Sequence, residues 1–155
     1  MLNSLRALYY NWQTLGTQYA QNKDELKQLL LANAINLTAL TLIPPFVVIF
    51  FALNLNLLAL MLAAVFIKFS LILAITARGY LLTARIITLF SLNVVPFIYT
   101  MLLGRYAGFH YLYFVFLTLP FLFFSIRKTF TIGFFVLLTL ALFLFIRLND
   151  RPPIS

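Results

Sequence analysis

The sequence has no cysteine, one histidine, one tryptophan and only three acidic residues among its 155. Without cysteine there are no disulfides, no thiolate metal sites and no sulfur nucleophile, and the redox compartment stays open. The single histidine, His110, cannot supply bis-histidine haem ligation, and no cysteine or nearby acid completes a metal site with it. No glycine-rich phosphate loop and no serine–histidine–acid set occurs. The expected protein is not an enzyme and carries no cofactor or metal.

Charge is scarce too, at 9% of residues, while 64% are apolar and the mean hydropathy is +1.04. A soluble domain is about 45–50% apolar and about 25% charged. A globule of this size buries only about 70% of its unfolded surface, so much of the apolar excess would face water. A lipid solvent removes that conflict. The net charge of +8 does not indicate nucleic acid, because the basic residues fall one or two at a time between apolar stretches. The N-terminus does not read as a signal peptide. Asn11, Gln13, Gln18 and Gln21 interrupt its apolar residues, and Lys23-Asp24-Glu25 follows them.

Residues 1–28 form an expected amphipathic N-terminal and juxtamembrane region. Leu2, Leu5, Leu8, Tyr9, Trp12, Leu15 and Tyr19 recur at helical steps and leave Asn3, Arg6 and Asn11 elsewhere. Such a helix either lies on the membrane surface or packs on a neighbouring domain. Gly16 is placed to break it, and Asn22 to cap the next helix with Glu25 as its capping-box partner.

The fold class expected for residues 29–147 is an all-α membrane bundle of about five transmembrane helices. The spans are placed at about 29–53, 55–76, 86–103, 109–125 and 130–146. Short links join them, at 54–56, 77–85, 104–108 and 127–128, and 148–155 forms a short tail. No internal repeat emerges, which weakens an inverted-repeat transporter. With a cytoplasmic N-terminus, seven basic residues face inward (Arg6, Lys23, Lys27, Arg78, Arg85, Arg127, Lys128) and three outward (Arg105, Arg147, Arg151). The positive-inside rule favours that orientation, which puts the tail outside.

Lys68 is the sharpest functional signal. It lies ten residues from Arg78, or roughly 15 Å along a helix, and ionisable groups at such depth face a bundle interior or a cavity. No acid lies within the spans. Its expected partners are therefore backbone carbonyls, Asn or Tyr groups, a lipid phosphate or an anionic ligand; alternatively the span shifts and Lys68 nears an interface. Asn33, Asn36, Thr38 and Thr41, with Ser91, Asn93 and Thr100, mark polar helix faces. They serve as packing contacts or line a ligand pocket. Pro44-Pro45, Pro96 and Pro120 each interrupt a span and free carbonyls, so kinks and a cavity among spans one, three and four are expected. His110 and Tyr111, beside Tyr106, Phe109 and Tyr113, form an expected headgroup belt, or less commonly a ligand contact.

The order of features carries a resemblance. A segment ending in Trp12–Gly16 leads through Lys23–Asn36 into the first span. Later come Leu103-Gly104-Arg105-Tyr106-Ala107-Gly108-Phe109-His110-Tyr111, Leu119-Pro120-Phe121-Leu122-Phe123-Phe124 and Arg127-Lys128. This resembles the six-helix membrane input modules of bacterial class III adenylate/guanylate cyclases and sensor histidine kinases. The resemblance implies a sensory or transmitter module of the inner membrane, often a homodimer or larger assembly, that passes a signal to a cytoplasmic enzyme; a small apolar or anionic ligand is a separate expected partner. Five spans instead of six make it either a truncated module or a five-helix protein. The competing expectations are an accessory subunit of a membrane complex and a small carrier or channel centred on Lys68.

Overall fold

The computed structural model describes residues 9–104 and 108–149. Leu2, Leu5, Arg6, Leu8, Arg105, Tyr106 and the tail from residue 150 lie outside the described residues. The described residues are helical, with no strand, and four helices are long and apolar enough to cross a membrane. The chain divides into two compact units, Met1–Thr88 and Leu89–Ser155.

In the first unit, α1 (Lys23–Ala52) starts where the capping box was expected. Asn22 Oδ1 accepts from the Glu25 amide at 2.8 Å, and Glu25 Oε2 accepts from the Gln21 amide at 2.9 Å. The first bond satisfies one of the donors left open at the helix N-terminus, and the second reaches the residue before the cap instead of the cap amide itself. α1 continues through Pro44-Pro45. The missing N–H groups cost it the bonds to the carbonyls of Leu40 and Thr41 without ending it. Its buried residues Leu29, Ala32, Asn33, Asn36, Leu37, Leu40 and Ile43 form one stripe at three- and four-residue steps. α1 packs on α2 (Asn56–Ala77) across a tight turn in which Asn54 takes a left-handed φ of 58°, which asparagine tolerates better than most residues.

α3 (Leu81–Leu103) begins five residues before the expected third span, because only Arg78–Tyr80 is needed to turn the chain. Arg85 thus lies within the helix and not in a connection. The N-terminal helix breaks near Gly16, as expected. Its described part ends at residue 13, Gly16 takes φ 76°, and a 3-10 turn follows at Thr17–Tyr19. Thr14 Oγ1 donates back to the Tyr10 carbonyl at 3.0 Å and helps to close the helix.

In the second unit the expected fourth span, 109–125, is not one regular helix. It consists of a 3-10 turn (Phe109–Tyr111), α4 (Leu112–Phe116) and α5 (Leu119–Phe123). Pro120 lacks the amide that would close the turn, and Thr118 bonds to Val115 instead, at 3.1 Å. Phe124 and Ser125 are extended and lead into α6 (Thr129–Leu148). Residue pairings fix the directions. Tyr113 meets Asn93 and Phe109 meets Tyr99, so this broken segment runs antiparallel to the unit's part of α3. Thr139 meets Asn93 and Phe145 meets Phe97, so α6 runs parallel to it. The core is aromatic, with Phe124 stacked on Phe135 at 15° and Phe114 edge-on to Phe143; such pairs add about 0.5–1.5 kcal/mol beyond area burial.

Candidate ligand groove and polar clusters

The N-terminal segment is held against the first unit by three local features. The amide of buried Asn33 donates to the carbonyls of Gln13 and Leu15, at 2.9 and 2.8 Å. These are C-terminal carbonyls of the short helix, which has no further turn to receive them. Gly16 approaches α2 so closely that a Cβ there would stand 2.6 Å from the Thr76 carbonyl oxygen. Gly79, at φ 88°, leaves room for the ring of Tyr19, 3.1 Å from where a Cβ would be. Asn33 Oδ1 is buried with no hydrogen-bond partner.

Docked in this way, the segment forms one wall of a groove of about 490 Å³. Tyr9 and Trp12 line that wall; Leu37, Leu40, Thr41 and Pro44 of α1, with Phe66 and Ser70 of α2, line the rest. The α1 residues lie eight to fifteen positions past Leu29, hence about 12–22 Å into the apolar run. The Thr41 hydroxyl donates to the Leu37 carbonyl at 2.9 Å and Ser70 to Phe66 at 3.0 Å. The groove therefore offers an occupant mainly carbon. Sequence reasoning expected a cavity at the prolines among spans one, three and four. Pro44 does line this groove, but its partners are span two and the N-terminal segment.

The predicted site residues do not gather in the groove. Asn36 is buried and accepts from Thr88 Oγ1 at 3.3 Å. Lys68 is half-buried on α2, with its ammonium 4.6 Å from the ring centroid of Phe69. In the second unit Asn93 is fully engaged: its amide donates to Leu89 O at 2.9 Å, and its side-chain oxygen accepts from Thr139 at 2.7 Å. Its own carbonyl accepts from the Tyr113 hydroxyl at 2.7 Å. Each polar atom of the Asn93 side chain thus has a protein partner in this network. His110 is buried, its ring 4.1 Å from that of Tyr111, which is exposed. Pro96 sits inside α3, where its carbonyl accepts from Thr100 at 2.7 Å.

One polar cluster was not foreseen. Arg85 has a side chain only 5% exposed. It donates to Gln28 Oε1 at 2.9 Å and to the Glu25 carbonyl at 3.2 Å, and pairs with the Glu25 carboxylate at 3.6 Å. Its Nε is buried without a partner. The available signal was Glu25, an acid beside a membrane run whose capping role leaves one oxygen to pair.

No family model, curated protein or solved structure matches the chain.

Proposed function

We propose that the chain is a sensory or transmitter module of a bacterial inner membrane, without catalysis of its own, and that its signal is an apolar ligand such as an acyl chain seated in the groove. The observation that carries this reading is the composition of the groove's walls. Two are packed spans; the third is a short segment held by one asparagine amide and two glycine contacts. An occupant touching Tyr9 and Trp12 biases the docking of that segment by its difference in affinity for the docked and undocked states. The proposed orientation is N-terminus inward, with five crossings. In support of the fifth, Leu117 and Thr118 keep helical backbone angles between α4 and α5, and the broken segment runs antiparallel to α6 and to α3 within its unit.

Trp12 is the only tryptophan, so its fluorescence reads the groove directly. In reconstituted protein a brominated fatty acid should quench it saturably, and Thr41→Phe, which fills the groove, should remove the saturable part. Quenching that rises linearly with bromolipid and is the same in Thr41→Phe would refute the reading. A second reading, a subunit of a larger membrane complex, is favoured by one separate observation, that Lys68 has no counter-charge among the described residues.

A further inference from the structure

Lys68 stands near the middle of α2, twelve residues from Asn56 and nine from Ala77, and is the only charged residue in that helix. It is therefore about 18 Å from one end and about 14 Å from the other, distances that a four-carbon stem cannot cover by snorkelling. Among the described residues its ammonium has the Phe69 contact and no hydrogen bond or ion pair. A cation–π contact returns about 0.5–2 kcal/mol. A lysine at the bilayer centre costs about 2.5–3.5 kcal/mol even on insertion scales. The charge is undercompensated.

The surface beside it has a regular pattern. Leu57, Leu60, Ala64, Ile67, Leu71 and Ala74 are all exposed, and their spacing is three, four, three, four, three. That is the a/d seam of a heptad, and the two alanines let another backbone approach closely. Lys68 follows the d position Ile67, which makes it an e position, where interhelical ion pairs form. The three acids of this sequence cannot supply the counter-charge from a second copy, since Asp24 and Glu25 precede the apolar run of α1 and Asp150 follows α6. A lipid phosphate lies beyond the stem's reach.

We infer that this face of α2 docks a membrane helix from a different polypeptide, one carrying an aspartate or glutamate near the bilayer centre that pairs with Lys68. The inference rests on α2 crossing the bilayer and does not depend on the groove having a ligand.

The test uses the full chain, labelled and reconstituted in phosphatidylcholine vesicles, with leucine/alanine transmembrane peptides bearing a central Glu, Asn or Leu as acceptors for energy transfer. Co-flotation with the vesicles checks insertion separately; a chain that does not float fails the membrane reading, on which this inference depends. The Glu peptide should associate about fivefold more tightly than the Leu peptide, the scale of interhelical polar contacts in lipid. Lys68→Met should abolish that preference, and Lys68→Glu should transfer it to a peptide with a central Lys. Ala64→Phe should weaken Glu-peptide binding with the lysine still in place. Equal association of the Glu and Leu peptides with the native chain, or a preference that survives Lys68→Met, would overturn the inference and leave lipid as the occupant of this face.

Discussion

Replacing Asn33 by leucine tests whether the N-terminal segment is held by the contacts assigned to it. The substitution keeps the side chain's approximate size and deletes both hydrogen bonds to the carbonyls of Gln13 and Leu15. At about 1 kcal/mol per bond, docking weakens by about 2 kcal/mol, or roughly 30-fold. The α1–α2 pair should not weaken with it. Asn33 Oδ1 is already buried without a partner, and removing it recovers part of a desolvation cost of about 1–3 kcal/mol. The perturbation thus separates local from global stability. Hydrogen exchange of the amides of Thr17, Tyr19 and Ala20, each bonded within the segment, should quicken by about 30-fold, while the mid-helix amides of α1 and α2 keep their protection. Asn33→Asp should release the segment more fully, because it faces two carbonyls with an acceptor in place of a donor. Exchange at those three amides within about threefold of the native rate in Asn33→Leu would refute the argument.

Two further pairs of substitutions follow from the same structure. Gly16→Ala meets both a left-handed φ and the Thr76 carbonyl, so it should undock the segment at a cost of at least 1–2 kcal/mol; Gly133→Ala in α6, with nothing within 4 Å of the added carbon, should be neutral or raise thermal stability by up to about 1 kcal/mol, read by melting in detergent. Arg85→Leu should be better tolerated than Glu25→Leu, since the first removes a buried cation with an unbonded Nε and the second takes the carboxylate from that cation and from the Gln21 amide; the urea or thermal midpoint should be higher for Arg85→Leu than for Glu25→Leu.

The parts of the fold legible in the sequence are those that depend on long-run composition and local capping. An uncharged stretch from Leu29 onward and the Asn22–Glu25 spacing specify α1 with little help from elsewhere. In 109–125 the interruption at Pro120 is legible but its extent is not, because hydropathy averages side chains, so the apolar run reads as one kinked span where the chain forms a 3-10 turn and two short helices. Arg85 was misplaced for a related reason. A charge next to a membrane run reads as a boundary, and only the packing of α3 near Glu25 and Gln28 makes it interior. The groove was the least legible feature, because it exists only when Asn33 reaches back some twenty positions to the carbonyls of another helix.

The tight fit of Gly16 against Thr76 bears on biogenesis. Translation delivers the N-terminal segment first, yet its seat is completed about sixty residues later, once Thr76 and Gly79 have emerged. At about 5–20 residues per second, Gly16 waits roughly 3–12 s for the surface it fits. Throughout that interval Tyr9 and Trp12 have no completed groove to line and Tyr19 no Gly79 to pack on, so all three remain available to chaperones or to the headgroup region. The nascent chain thus passes through a state in which the aromatic residues Tyr9, Trp12 and Tyr19 are made but still undocked.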